Sequence, residues 1–445
     1  MPWFKDLGLR WALLVGFWLR MWPLARWQDT ACVRDACAYM RLGHAMAAGQ
    51  GMTLNQGDSP WLWAPGYPAF LALHERLFGA LEVAVVTQCL LAGVSQVLAY
   101  LLMRDHLDAR SGRAAAWLLG LSPTLAFFAG TFWTETLYIT LLLGLLWTLG
   151  RAREVPWKGL LAGGLLGLVM LVKGTATYVL PVILLGLLWG RWRQRPAWLS
   201  AGGLLVGAAL VVAPYSAYAS ARYQGFVLTE RTLGHNLWVS YNDFQPNAFD
   251  WGVGQLDKGR TDQLRESQGR PRCDVELPLV EWDRCETAEA LDWIRQHPRE
   301  VLRRQPLRLA QLLNPNSFLT RHVRTGRWDG LPPALGEGLL LATLATSVLA
   351  VFGGLLGGLG RGRGWLAVTL AGLVAYHALV SGAMTGMSRF RVPIDALLLL
   401  YAGVLVADPR QALAGLVGWR WWLALGLGLA LGPLMGWLLL PGYLP

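Results

Sequence analysis

Long apolar runs, joined by short polar connections, dominate the chain. A helix that crosses a bilayer needs about 20 predominantly apolar residues, and about eleven runs approach that length. They lie near 7–24, 81–103, 112–129, 131–150, 157–173, 175–190, 197–218, 336–358, 364–382, 391–407 and 417–440. The pattern predicts an all-α, polytopic membrane protein with about 11 transmembrane helices. The first run is expected to stay in the protein as a membrane helix or signal anchor.

Two longer polar stretches, 25–80 and 219–335, interrupt the apolar runs. They divide the chain into an N-terminal transmembrane module (1–218) that carries the first stretch as a loop, a loop subdomain (219–335), and C-terminal transmembrane helices (336–445). Apolar periodicity is sparse in 219–335, so we expect a small subdomain outside the membrane there.

Composition agrees with a membrane protein and argues against a soluble enzyme. The 445 residues are 54% hydrophobic and only 15% charged, whereas soluble domains carry roughly 25% charge. The 24 tryptophans suit the interfacial belts of a membrane protein. The net charge of +11 comes largely from short connections beside membrane segments. It therefore predicts contact with membrane lipids, not with nucleic acid.

The basic residues of the short connections set the orientation. One side holds Arg104, Arg110, Arg113, Arg151, Arg153, Lys158, Arg191, Arg193, Arg195, Arg361, Arg363 and Arg410. The opposite side holds Lys173, Arg389 and Arg391. Because short cytoplasmic loops are rich in Lys and Arg, the first set is predicted to be cytoplasmic. The two long stretches then face the periplasm or the outside of a multi-pass inner (plasma) membrane protein.

Four of the five cysteines lie in the outward stretches, two in each. Cys32 and Cys37 are in the first, Cys273 and Cys285 in the second, and Cys89 is alone in an apolar run. Disulfides persist in oxidising compartments, so a Cys273–Cys285 bridge is the first prediction and a Cys32–Cys37 bridge the second. A zinc site is the alternative, although neither spacing is C-x-x-C.

The first outward stretch contains two amphipathic segments. Asp35 to Gln50 places Ala36, Tyr39 and Gly43 on one helical face, and Pro68 to Leu77 forms a second short piece. Such helices lie in the membrane interface by their apolar face. They would hold Asp35 at the level of lipid headgroups.

Several short motifs occur in order along the chain. They are Asp35-x-x-x-Tyr39, Gly49-Gln50-Gly51, Ala64-Pro65-Gly66-Tyr67-Pro68, Pro123 with Thr134-Glu135-Thr136-Leu137-Tyr138, Pro214 with Glu230, Gly234-His235-Asn236-Leu237 with Asn242, the helix Ala290 to Leu302, and Arg389-Phe390-Arg391-Val392-Pro393-Ile394. Together, over about residues 5–410, they resemble the GT-C glycosyltransferases. These are polytopic enzymes that use polyprenyl-phosphate sugars and include protein O-mannosyltransferases and aminoarabinose transferases. Arg34 departs from the pattern, since a small residue or a second acid often precedes the aspartate.

The resemblance implies an inverting glycosyltransferase in which Asp35 is the catalytic base. Transfer from a phosphate needs a base within about 2.6–3.2 Å of the acceptor group. Asp35 also precedes an apolar-periodic helix, so an N-cap role is the alternative, and both can coexist. Glu135, near the outward end of a membrane run, is the second catalytic candidate, with a polar helix end as its alternative.

The resemblance further implies residues that bind the donor and the acceptor. Arg391, Arg389, Lys173 and Arg34 would bind the lipid phosphate, because guanidinium groups bind phosphate bidentately. Anchoring to headgroups and snorkelling are their alternatives. The predicted substrate-binding residues are Tyr39, Tyr67, His235 and Asn236. No cofactor is identified; a divalent metal stays open, because metal dependence varies within the superfamily and no His/Glu constellation stands out.

Two other functions compete with glycosyl transfer. A transporter or flippase of lipid-linked sugars would place polar residues near the bilayer midplane, whereas here they gather at outward helix ends. An O-antigen ligase or polymerase would lack the Asp-x-x-x-Tyr element. For the transferase, the partners are a polyprenyl-phosphate sugar and a glycan, lipid or protein acceptor, whose identities the sequence leaves open.

Overall fold

The computed structural model describes residues 5–24, 35–52, 62–242, 267, 273, 277–315, 318–324, 331–384 and 386–437. In these residues the regular structure is helical, apart from one isolated bridge between Leu62 and Arg231. The helices before the second long polar stretch are α1 (Leu7–Leu24), α2 (Asp35–Ala47), α3 (Gly66–Phe78), α4 (Val83–His106), α5 (Ala109–Leu121), α6 (Pro123–Ala129), α7 (Glu135–Ala152), α8 (Lys158–Val172), α9 (Leu180–Leu188) and α10 (Arg195–Arg222).

The remaining helices follow the long polar stretch or lie within it. They are α11 (Leu233–Ser240), α12 (Leu279–Gln296), α13 (Pro298–Leu313), α14 (Phe318–Arg324), α15 (Pro333–Val348), α16 (Gly354–Arg361), α17 (Gly364–Ala383), α18 (Val392–Ala407), α19 (Pro409–Ala414) and α20 (Trp419–Trp437). Short 3-10 turns cover Gly174–Tyr178 and Ser388–Arg391, and a π-helical turn over Leu349–Gly353 joins α15 to α16.

The all-helical, polytopic fold class is confirmed, but the count of about eleven spans is not. Five described helical stretches are long and apolar enough to cross a membrane. They are Val83–His106, Arg195–Arg222, Pro333–Arg361, Gly364–Gly382 and Ser388–Ala407. The protein is therefore a multi-pass membrane protein.

Two apolar runs have a different form from the one that was expected. The run near 112–129 divides at Ser122, whose hydroxyl accepts from the backbone N–H of Leu125, and Pro123 begins α6. Proline favours the first turn of a helix and cannot continue a preceding one. The run near 175–190 is a 3-10 turn followed by the nine residues of α9, which reach about 14 Å and cannot span a bilayer.

Close helix packing depends on small residues. A Cβ added to Gly163 of α8 would lie 2.1 Å from the carbonyl oxygen of Leu204 on α10. Such contact lets the two backbones approach as small residues do in membrane bundles. Buried Arg20 of α1 donates to the carbonyls of Leu119 at 2.9 Å and Gly120 at 3.1 Å. These bonds satisfy an otherwise costly charge and tie α1 to the end of α5.

Backbone hydrogen bonds join the two long polar stretches. The backbone N–H of Leu62 donates to the carbonyl of Arg231 at 3.1 Å, and the reciprocal bond is 2.9 Å long. The Cys273–Cys285 disulfide is confirmed. Cys37 is also disulfide-bonded, while Cys32 lies outside the described residues, and buried Cys89 is a free thiol.

Candidate active site

Asp35, the first residue of α2, is paired with Arg389 from the 3-10 turn before α18. Arg389 Nη1 donates to Asp35 Oδ2. The Asp35 side chain is 30% exposed and that of Arg389 only 9%. The Asp35 carboxylate is therefore partly open to solvent, while the Arg389 guanidinium is buried.

Glu135 and Lys173 extend this pair into a buried charge network. Lys173 Nζ donates to Glu135 Oε1 at 2.9 Å, and Arg389 Nε lies 3.6 Å from the same oxygen. Glu135 is fully buried and Lys173 is 7% exposed. Glu135 begins α7, where the helix dipole favours an acid. The network brings together the start of α2, the start of α7, the end of α8 and the turn before α18.

Aromatic rings enclose the two cations. Lys173 Nζ lies 5.6 Å from the ring centroid of Tyr138 and 5.7 Å from that of Phe390. The Arg389 guanidinium lies 4.7 Å from the ring of Trp133. Such contacts stabilise cations that are removed from water. Arg389 Nε is buried and makes no hydrogen bond among the described residues, so its interaction with Glu135 at 3.6 Å is electrostatic.

Tyr39 and Tyr67 pack together beside this network. The Tyr39 ring makes edge contacts with Tyr67 and Trp63, with centroids 5.2 Å apart in both cases. The Tyr67 hydroxyl donates to Gln88 Oε1 at 3.0 Å in the interior of the bundle. The Gln88 amide in turn donates to the carbonyl of Thr131. Tyr67 thus has a packing role in this geometry, and substrate contact by either tyrosine stays a prediction.

Three other predicted residues contact groups outside the network of Asp35, Arg389, Glu135 and Lys173. Arg391 is buried, with its Nε 2.7 Å from Asp395 Oδ1, and its Nη1 donates to the carbonyl of Leu313. His235 Nδ1 lies 3.2 Å from Glu286 Oε2, and Asn236 donates to the carbonyl of Thr232. Both are on α11, within the stretch 219–335 that was predicted to face outward. Arg34 lies outside the described residues.

Glu230 lies in a cavity, a position that its place in the motif did not predict. It follows α10, and burial raises its pKa from 4.5 to about 7. It lines a cavity of about 520 Å³ that also includes Asn236. In the sequence it appeared only as a motif position after Pro214, with no role assigned to it. Among the described residues no three His, Cys, Asp or Glu side chains are grouped to hold a metal ion.

Residues 58–218 match the family model described as dolichyl-phosphate-mannose-protein mannosyltransferase. A search of curated proteins gave no match. Among solved structures, the chain resembles the apo oligosaccharyltransferase of Archaeoglobus fulgidus, with a TM-score of 0.55 and 16% identity over 97% of this chain and 55% of the other. The same enzyme, AglB, in complex with an inhibitory peptide and a dolichol-phosphate gives a TM-score of 0.54 and 15% identity over the same shares.

ArnT from Cupriavidus metallidurans bound to undecaprenyl phosphate matches with a TM-score of 0.43 and 15% identity, over 90% of this chain and 78% of that one. The chain spans about half the length of the oligosaccharyltransferase. At these identities the structural matches to AglB show a shared fold. The resemblance to the GT-C glycosyltransferases is thus confirmed by this fold and by the family model over 58–218.

Proposed function

We propose that the protein is an inverting glycosyltransferase that moves a sugar from a polyprenyl-phosphate donor to a glycan, lipid or protein acceptor at the outer face of the inner membrane. The observation that carries the proposal is the network of Asp35, Arg389, Glu135 and Lys173. It combines a partly exposed carboxylate with two enclosed cations. A base for the acceptor and positive charge for a departing phosphate are what this reaction requires.

The reaction divides between the two parts of the network. Asp35 takes the proton of the acceptor hydroxyl or amine as its oxygen or nitrogen attacks the anomeric carbon. The bond from that carbon to the phosphate oxygen breaks, and the electron pair leaves with the lipid phosphate, so the configuration inverts. Arg389 and Lys173 stabilise the negative charge that develops on the phosphate.

Glu135 is a positioning residue in this scheme. It receives Lys173 at 2.9 Å and lies 3.6 Å from Arg389 Nε, so it orients both cations without meeting the reacting atoms. Arg389 binds Asp35 before the donor arrives. A donor phosphate that accepts from Arg389 would compete for that guanidinium and free the Asp35 carboxylate for the acceptor.

The test is Asp35→Asn in membranes, assayed with radiolabelled undecaprenyl-phosphate hexoses and pentoses and with membrane extract as the acceptor source. Because general base catalysis contributes about 10²–10⁴-fold, the variant should lose transfer by at least about 10²-fold while it still binds donor. Asp292→Asn, an exposed acid on α12, is the matched control and should keep full activity. Full transfer by Asp35→Asn would overturn the mechanism. Movement of intact labelled lipid across the membrane, without cleavage of the sugar–phosphate bond, would instead support a flippase.

A further inference from the structure

A cavity of about 520 Å³ lies next to the charge network, between the membrane bundle and the outer helices. Its walls are the turn Gly174–Tyr178, the segment 226–232, the start of α11, one face of α12 and the outward end of α17. Its size is within the roughly 300–1,000 Å³ typical of small-ligand sites. Gly174 directly follows Lys173, so the cavity adjoins the candidate active site.

Glu230 lines the cavity beside Gly174, the residue that follows Lys173 of the network. A Cβ on Gly174 would lie 1.5 Å from the Glu230 Cδ and 1.9 Å from both carboxyl oxygens, so the glycine lets this carboxyl group pack directly against the backbone of the turn. The raised pKa of Glu230, about 7, results from burial, which a hydrogen bond with Thr232 and the charge of Lys173 only partly offset, and Asp283 raises it further.

The other charges of the cavity are largely balanced. Arg231 Nη1 donates to Asp283 Oδ2 at 2.9 Å, and Asp283 Oδ1 accepts from the backbone N–H of Gly234. The more exposed Arg284 also lines the cavity. Of the two acids that line the cavity, Asp283 forms a salt bridge with an arginine, and Glu230 forms none with an arginine among the described residues.

The rest of the lining combines neutral hydrogen-bonding groups with flat rings. The hydroxyl oxygens of Thr177 and Thr229 lie 2.8 Å apart, and Thr287 adds another hydroxyl. Tyr178 and Phe226 contribute rings that are 59% and 64% exposed. Hydroxyls and a carboxyl suit a ligand that is rich in hydroxyl groups, and apolar rings suit the C–H faces of a sugar. A phosphate would be repelled by Glu230 when that acid is ionised.

We propose that this cavity binds a saccharide portion of the acceptor, with the Glu230 carboxyl hydrogen-bonded to hydroxyls of one sugar ring and Phe226 packed on its face. The part that concerns acceptor delivery rests on the proposed glycosyl transfer. The binding of a saccharide stands independently of it, because binding can be measured without donor.

Binding is tested on the full chain in nanodiscs by saturation-transfer difference NMR. The probes are methyl glycosides of common hexoses and pentoses and their di- to tetrasaccharides. At least one probe should bind the wild type at pH 8, where Glu230 is ionised because its pKa is about 7. Glu230→Gln should weaken that binding about ten-fold or more, the loss expected for hydrogen bonds to a charged group. Phe226→Ala should also weaken it, and because that ring is exposed, this variant should fold normally. Asp292→Asn is the control that should bind as the wild type does.

The outcomes separate this inference from the proposed function. If Asp35→Asn binds the saccharide normally but does not transfer sugar, both are supported. In transfer assays Glu230→Gln should raise the KM for the acceptor and leave the KM for the donor unchanged, which a general loss of structure would not do. The inference is overturned if no saccharide binds the wild type, if Glu230→Gln and Phe226→Ala bind as tightly as the wild type does, or if only peptides compete for the cavity.

Discussion

Removal of the Glu135 carboxylate should destabilise the protein strongly, because it would leave Lys173 buried without its partner. The two side chains are 0% and 7% exposed, and the N–O distance is 2.9 Å. Loss of one partner from a buried ion pair typically costs about 3–5 kcal/mol, since the remaining charge is uncompensated. Arg389 retains Asp35, so the penalty in Glu135→Gln falls mainly on Lys173.

Removal of the Lys173 charge should reduce the free energy of unfolding by less than removal of the Glu135 charge does. In Lys173→Met the Glu135 carboxylate still has Arg389, whose Nε lies 3.6 Å away. The double variant Glu135→Gln/Lys173→Met removes both charges and leaves neither group unpaired. It should therefore be more stable, by about 2 kcal/mol or more, than the sum of the two single effects predicts, which is within the range of coupling energies for contacting residues.

The measurement is the free energy of unfolding of the four proteins in bicelles, obtained by reversible titration with SDS. A second cycle with Asp292→Asn and Arg295→Gln serves as the control. That pair has an N–O distance of 2.7 Å but side chains 61% and 73% exposed, so its coupling should stay near 0.5 kcal/mol. A coupling between Glu135 and Lys173 no larger than that of the exposed pair would refute the reasoning.

Three further predictions concern Glu230, the Cys273–Cys285 disulfide and the proposed phosphate contact of Arg389. The pKa of Glu230 is raised from 4.5 to about 7, so the free energy of unfolding of the wild type should fall by about 3 kcal/mol as the pH rises from 4.5 past 7. Glu230→Gln should not show this fall. Equal pH dependence of the free energy of unfolding in the wild type and in Glu230→Gln would contradict the prediction. Replacement of Cys273 and Cys285 by serine opens a loop with a sequence separation of 12 and should lower the free energy of unfolding by about 3 kcal/mol. Reductant should lower the stability of the wild type by a similar amount and should not change that of the variant. Arg389→Lys keeps the charge but not the bidentate geometry; undecaprenyl phosphate should bind about ten-fold more weakly in a radioligand assay, and unchanged affinity would argue against phosphate contact.

Features that depend on local pattern were accessible from the sequence. The apolar runs indicated a helical membrane protein because hydrocarbon leaves no other partner for the backbone of these segments. The Cys273–Cys285 bridge followed from the presence of both cysteines in one stretch predicted to face an oxidising compartment. An acid at Asp35 and another at Glu135 stood out because carboxylates beside membrane segments are costly and rare. The bond of Arg391 to Asp395, four residues further on, was not predicted, because Arg391 was expected to bind phosphate.

Other features depended on which distant segments meet. Arg389 and Asp35 are 354 positions apart, and no local pattern could rank Arg389 above Arg391 as the partner of the aspartate. The short helix α9 was indistinguishable from a span by hydropathy alone, because its start is set by the preceding turn at Gly174–Tyr178, most of which belongs to the same apolar run. Glu230 was visible only as a motif position. Its cavity, its contact with Gly174 and its altered proton affinity arise from burial between elements remote in sequence. The sequence by itself therefore determined the class of fold and which acidic and basic residues were candidates for the site. Only tertiary packing decided which of these residues share one site.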